Sequence, residues 1–435
     1  MRTRVLLFLT LASAAACAQV EPTATSTTQM ATPPPVTGAN FPALVGAEEK
    51  SNFLSGGVTY STAYVNNLYA DSGSRSTAET EFSILPTVTY DDTATRRHMA
   101  LTYSPGFSFY RPSSGLNEVD NTATTEYDFL ISPYTKLSLR DQFSDSSTPF
   151  NPSGEGVGVS GAPPSTTPGV IPPFAKRLTN NADGELTMQT GKDTMVGLSG
   201  STTVLHYPDS TETPGLYDSN SRGGSVFYNR RLGLSQYFGA TYQYQNMLAY
   251  PASGSDRTQT HTMMVFYTLY PLKRLSLSVS AGPQYYRVLE IDLSPEASWG
   301  PFVSASANWH GNRTNFAGSY SQSVTGGGGL LGAFHSKLGS ASMRRQMAKT
   351  WTVSASGGYS AIASTSALSP SGSGNGHTVT GTATLEHSIH SQFTVALNYV
   401  HLTQSYAGIT VISANPNSDR ATISINWRFT RPLGK

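Results

Sequence analysis

Cysteine is almost absent: Cys17 is the one thiol in 435 residues. No disulfide can brace the body of the chain, and no thiolate can serve there as ligand or nucleophile. Charge is scarce too. Asp, Glu, Lys and Arg make up 13% of the chain, 28 basic against 27 acidic, about half the share usual in soluble domains. With no basic stripe, nucleic acid is excluded as a partner. Beyond Ala16 no long apolar run occurs, which excludes transmembrane helices.

Motifs for catalysis are missing as well. The sequence has no Gly-x-Ser-x-Gly and no His-Glu-x-x-His. Gly156-Val157-Gly158-Val159-Ser160-Gly161 has dinucleotide-site spacing but lies between Pro149/Pro152 and Pro163-Pro164, where no phosphate-binding helix can start. Gly326 to Gly329 lacks the Lys-Ser/Thr of a phosphate loop and reads as a flexible outer loop. Glu386, His387 and His390 sit near a strand end without a further ligand, so they read as interfacial side chains. No enzyme activity, cofactor or metal is expected.

What is present begins with Met1-Arg2-Thr3-Arg4 and an apolar run from Val5 to Ala16, a secretory signal too short to span a bilayer. Ala16-Cys17-Ala18 supplies a small-x-small cleavage site, giving residues 1–18 as signal. The alternative is lipidation of Cys17, since Ala14-Ala15-Ala16-Cys17 is similar to a lipobox with Ala where Leu is usual. Residues 19–52, rich in Thr, Pro and Ala, read as a flexible periplasmic arm.

From about Leu54 the dominant period is two. In Ala421-Thr422-Ile423-Ser424-Ile425-Asn426-Trp427-Arg428-Phe429 the apolar residues share one face and the polar ones the other. Leu275 to Ala281 and Trp351 to Ala355 repeat this pattern. A soluble sandwich also alternates, but here about nine long links interleave with about eight short ones, the pattern of a transmembrane barrel. The expected fold is therefore all-β: residues 53–435 form a single closed antiparallel transmembrane β-barrel of about eighteen strands, with short periplasmic turns, longer extracellular loops and both termini periplasmic. Long links are expected near Ser147–Leu178 and Thr325–Ala333, among others.

The two faces divide the candidate residues. Tyr60, Tyr242, Tyr244, Trp299, Trp309, Trp351, Trp427 and Phe429 lie near strand ends on the apolar parity, where rings form girdles at the headgroup level. Glu81, Glu126, Asp128, Arg140, Gln243, Gln245, Glu386, Asn398, Asn426 and Arg428 lie on the polar parity as candidate lumen-lining residues. A barrel of this size encloses an aqueous channel unless plugged. The Ser147–Leu178 link, with Phe150, Ile171 and Phe174 as apolar anchors, is the expected plug. A channel for solute passage follows, with a non-conducting structural barrel as an alternative.

The chain resembles porin-like barrels of the Gram-negative outer membrane, which implies outer-membrane lipids and the insertion machinery as partners. Arg230-Arg231-Leu232-Gly233-Leu234-Ser235, Lys273-Arg274-Leu275-Ser276-Leu277-Ser278 and Gly239-Ala240-Thr241-Tyr242 resemble barrels associated with exopolysaccharide secretion. That resemblance implies polysaccharide export, with periplasmic export partners, as a further alternative. Such barrels commonly end on an aromatic residue, whereas here Phe429 is followed by Thr430 to Lys435.

With cleavage after Ala18, the mature chain should start at Gln19 without an acyl group. Mass spectrometry of membrane-extracted protein checks this, and a diacylglyceryl group on Cys17 would establish lipidation instead.

Overall fold

A computed structural model of the chain describes residues 52–69, 78–147, 174–209, 216–251, 254–289, 294–327, 330–365, 375–407 and 417–433. Cys17, the signal, residues 19–51 of the arm, and residues 148–173 of the longest link, Phe150 and Ile171 included, lie outside the described residues.

The described residues form β1 (Asn52–Val65), β2 (Glu79–Thr93), β3 (Arg97–Arg111), β4 (Glu118–Ser132), β5 (Thr135–Ser146), β6 (Arg177–Gly191), β7 (Thr194–His206), β8 (Ser219–Gly233) and β9 (Gln236–Ala249). They continue as β10 (Asp256–Leu272), β11 (Leu275–Leu289), β12 (Glu296–His310), β13 (Thr314–Gly327), β14 (Leu330–Gln346), β15 (Trp351–Ser364), β16 (Asn375–His390), β17 (Phe393–Ala407) and β18 (Asn417–Pro432). Each strand pairs antiparallel with its neighbours in chain order. β1 pairs with both β2 and β18, so the 18-stranded sheet closes on itself. Closure gives every strand a paired neighbour on both sides.

Contacts between strands that are not neighbours identify the inner face. Leu205 of β7, Ile362 of β15 and Tyr406 of β17 share one buried cluster, and only the inside of a closed sheet can bring them together. On these strands the opposite parity carries exposed Leu198, Val204, Tyr359, Leu397 and Tyr399. The same division holds at the seam, where Tyr60 stands opposite both Ile84 and Ile425 and is exposed with them. Ser61, opposite Ser83 and Ser424, is buried with those two serines. Large apolar residues outside and hydroxyls inside reverse the arrangement of a soluble barrel, so this one spans a membrane.

Strand lengths suit that task. The shortest, β5, has 12 residues and the longest have 17, enough at a tilt of roughly 40° to cross an apolar band of about 25 Å. Links at the end that holds Asn52 and Pro432 are short, the longest being 347–350. The other end has long links, such as 147–176 and 207–218.

One link departs from the expected pattern. The loop expected at Thr325–Ala333 is instead mostly strand: β13 runs to Gly327 and β14 starts at Leu330. Glycines signal turns in sequence, but Gly326 pairs with Ala333 and Gly327 with Leu330 across a register shift. Gly332, at φ 88°, takes the left-handed conformation that such an irregularity requires. The basic segment Arg230–Gly233 closes β8, and the short turn to β9 is Leu234-Ser235.

An arginine at Ile425, an exposed outer position, should cost about 2–4 kcal/mol. An arginine at neighbouring Asn426, on the inner parity, should cost under about 1 kcal/mol. Urea titration of folding into vesicles measures both. Equal costs would refute the face assignment.

Candidate functional site

The lumen wall is built from the inward residues of eighteen strands, and its chemistry is divided around the circumference. From β7 to β13 the inner positions between the two rims carry hydroxyls and amides. Ser199, Ser225, Gln243, Thr260, Ser278, Gln284, Ser304 and Ser321 are examples, all buried. No Asp, Glu, Lys or Arg stands among them between those rims. Aromatic rings lie flat between these hydroxyls where the facing residue is glycine. An added Cβ at Gly197 would lie 2.2 Å from the Phe227 ring, and one at Gly239 would lie 2.3 Å from Phe266. These glycines make room for the cross-strand ring.

Charge gathers on the other side, along β2 to β6 and β18. Arg140 pairs with Glu126 at 3.0 Å and Lys136 with Asp128 at 3.0 Å. Asp183 stands opposite Arg140, and Glu185 opposite Ser138. Arg420 of β18 reaches Glu81 of β2 at 2.9 Å. It spans β1, whose inner residues there are Ala63 and Val65. Acids outnumber bases on β2–β6: Glu79, Glu81, Glu118, Asp120, Glu126, Asp128, Asp183 and Glu185 share the inner parity with Lys136, Arg140 and Arg177.

Gln245 donates to Ser221 at 3.0 Å, Asn398 to Thr384 at 2.9 Å and Asn426 to Thr59 at 3.3 Å. Gln243 is buried on the same parity, and Arg428 pairs in register with Gly57 of β1. Glu386 lies 3.5 Å from Arg344. His387 has the opposite parity and stacks on Trp351 with ring centroids 4.2 Å apart, so Glu386 and His387 face opposite ways. Tyr60, Tyr242, Trp299, Trp309, Trp351 and Trp427 are exposed on the outer parity, and Tyr244 shares it. Phe429 lies on the outer parity over Gly56, where an added Cβ would sit 2.7 Å from its ring.

The feature that sequence reasoning missed is the end of the β13–β14 hairpin. Register between β12 and β13 stops at Val303 and Gln322. Beyond that point the hairpin turns inward and touches β9, β10 and β11. The Gln284 side chain of β11 receives the Val324 N–H at 2.7 Å and donates to the Val324 carbonyl at 3.1 Å. Gly326 N–H donates to Met247 Sδ of β9 at 2.9 Å. His335 meets Tyr286 edge to face at 6.0 Å, while Val324 and Ala333 pack with Tyr286 and Val288. On the far side Leu330 and Phe334 join Leu205, Tyr207, Leu216, Ile362 and Tyr406. Burial pushes the Tyr207 phenol up to about 12, so it stays neutral. The hairpin thus crosses the mouth at the long-link end and contacts walls on both sides. The one signal for it in the sequence is Leu330-Leu331, an apolar pair placed where an outer loop should be polar.

A second element approaches the same mouth. Phe174, at the end of the β5–β6 link, meets inward-facing Tyr110 at 5.6 Å and Tyr69 at 5.9 Å.

No family model and no curated protein matches the sequence. Among solved structures, the FrpB iron transporter of Neisseria meningitidis (F5-1 variant) is 9% identical, with 87% of this chain and 82% of that one covered and a TM-score of 0.45. OccAB4 of Acinetobacter baumannii is 9% identical over 88% of this chain and 100% of its own, with a TM-score of 0.45. OpdQ of Pseudomonas aeruginosa is 10% identical over 87% and 99%, with a TM-score of 0.43. Likeness at this level extends to no function.

An added Cβ at Gly326 lies 3.1 Å from Met247 Cβ, close to the roughly 3.5–4.5 Å that a disulfide spans. A variant carrying Gly326→Cys and Met247→Cys should therefore crosslink on mild oxidation, seen as a joined peptide by mass spectrometry. Failure to crosslink would place the hairpin tip away from β9.

Proposed function

We propose that this chain is an outer-membrane channel for polar solutes whose long-link mouth is narrowed by the β13–β14 hairpin. The observation that carries the reading is the inner wall, polar on every strand within an apolar exterior, with a hairpin fastened across it by Gln284 and Met247. Long links on one end and termini on the other fit a barrel with its termini in the periplasm. Outer-membrane lipids are then its surroundings, and the insertion machinery is the partner that would assemble it.

The divided lumen suggests what passes. The hydroxyls and amides along β7–β13 leave that arc of the wall uncharged, which puts no charge barrier before uncharged polar solutes. The acid surplus on β2–β6 repels anions and favours cations. Polysaccharide passage is the finer form of the reading, favoured by the uncharged hydroxyl wall.

Planar-bilayer recordings test this proposal. Replacing residues 325–334 by Asn-Gly, a two-residue hairpin turn, should raise single-channel conductance several-fold. Deleting residues 154–169 tests the longest link in the same way. In a salt gradient the native channel should prefer cations, and Asp183→Asn with Glu185→Gln should reduce that preference. No conductance from either the native protein or the hairpin variant would sink the channel reading.

A further inference from the structure

The outer face carries a cluster of aromatic and basic residues on β8–β12. On β9–β12 the register lines up Tyr244, His261, Tyr285 and Trp299 in one outward row. Their ring centroids lie 5.0, 6.1 and 5.3 Å apart in turn. Tyr242 holds His261 Nδ1 through its hydroxyl at 2.8 Å, and Gln259 donates to Tyr244 Oη at 3.2 Å. Trp299 is 68% exposed. A continuous ring row of this kind suits the zone where acyl chains give way to headgroups.

The row immediately towards the long-link end changes character. Arg222 of β8, Asn246 of β9, Gln259 of β10 and Arg287 of β11 stand in register, and Arg257 lies two residues beyond Gln259 on β10. All three arginines are exposed, and among the described residues none has an ion-pair partner. No Asp or Glu shares the outer parity of β8–β12. Arg222 and Arg287 are three strand spacings apart, roughly 14 Å. Guanidinium groups with free donors, just above a ring row and an apolar band, match a ligand with acyl chains below and phosphate above.

We infer that Arg222, Arg257 and Arg287, standing over the Tyr244–Trp299 ring row, form a binding site for the phosphorylated headgroup of an outer-leaflet glycolipid. The inference rests on the outer-membrane reading, with the long-link end outermost. The short turns at the opposite end also carry basic residues, such as Lys273 and Arg274. Those lie in turns rather than over a ring row on the barrel wall, which makes them a useful control.

The full-length mature protein would be folded into phosphatidylcholine vesicles alone, with bisphosphorylated lipid A, or with dephosphorylated lipid A. Native mass spectrometry then counts retained lipid. The wild type should retain bisphosphorylated lipid A and not the dephosphorylated form. A variant with Arg222→Gln, Arg257→Gln and Arg287→Gln should retain it at least roughly ten-fold less. Lys273→Gln with Arg274→Gln should behave as wild type. Equal retention of both lipid forms, or by the triple variant, overturns the site. Complete competition by inorganic phosphate at millimolar concentration also overturns it, since the arginines would then take any phosphate. Unheated gel migration separates the two levels: without a compact folded band in phosphatidylcholine alone, the membrane-barrel reading fails, and this site fails with it.

Discussion

Everything in this molecule depends on the closure between β1 and β18. In a bilayer core no water is available to backbone amides and carbonyls, and each unsatisfied group costs several kcal/mol. A sheet can remain there only if its first strand finds its last. The seam runs from Phe53 against Pro432 to Val65 against Arg420. Side chains reinforce it at the long-link end, where Asn66 donates to Asp419 at 2.8 Å and the Ser418 hydroxyl donates to the Asn67 carbonyl. Once the ring is closed, strand pleating alone sorts the side chains into those that meet lipid and those that meet the lumen.

Closure also creates an interior, and the interior is where this barrel departs from a plain cylinder. Strands that are not paired in the ring can meet inside it, so β13–β14 fastens to β9 and β11 on one side and packs near β7, β15 and β17 on the other. That crossing needs backbone conformations that few residues tolerate. Gly332 takes a positive φ, and Gly326 fits against Met247, where an added Cβ would meet sulfur at 2.9 Å. Glycines that look like slack in the sequence, Gly326 and Gly332, thus supply the close approach and the left-handed backbone of a folded-in hairpin.

The division of the wall into a charged arc and a hydroxyl arc follows from the same geometry. Ion pairs such as Glu126–Arg140 join adjacent strands, while Glu81–Arg420 steps over one strand. Paired charges shape the field inside the ring, whereas the serines and threonines of β10–β13 present only dipoles. Outside, the ring row and its arginines apply the same pleating rule to the lipid boundary.

Alternation is a local property, so the sequence by itself determined which residues share a face, and from that the strand count and the apolar exterior. Asn426 and Ile425 need only be adjacent on a strand to point apart. Short and long links could be told apart for the same reason, since turns are made by residues close in the chain. What lay beyond reach were pairings between distant segments. Gln284 and Val324 are 40 residues apart, Gly326 and Met247 79, and Arg420 and Glu81 339. No period in the chain marks such pairs. Gly326 to Gly329 has the composition of a loop, and only packing against Met247, Gln284 and Tyr286 draws its flanks into strands that cross the mouth. Composition decides what a segment can do alone; the closed ring decided what it does here, by placing an inner wall within hydrogen-bonding reach.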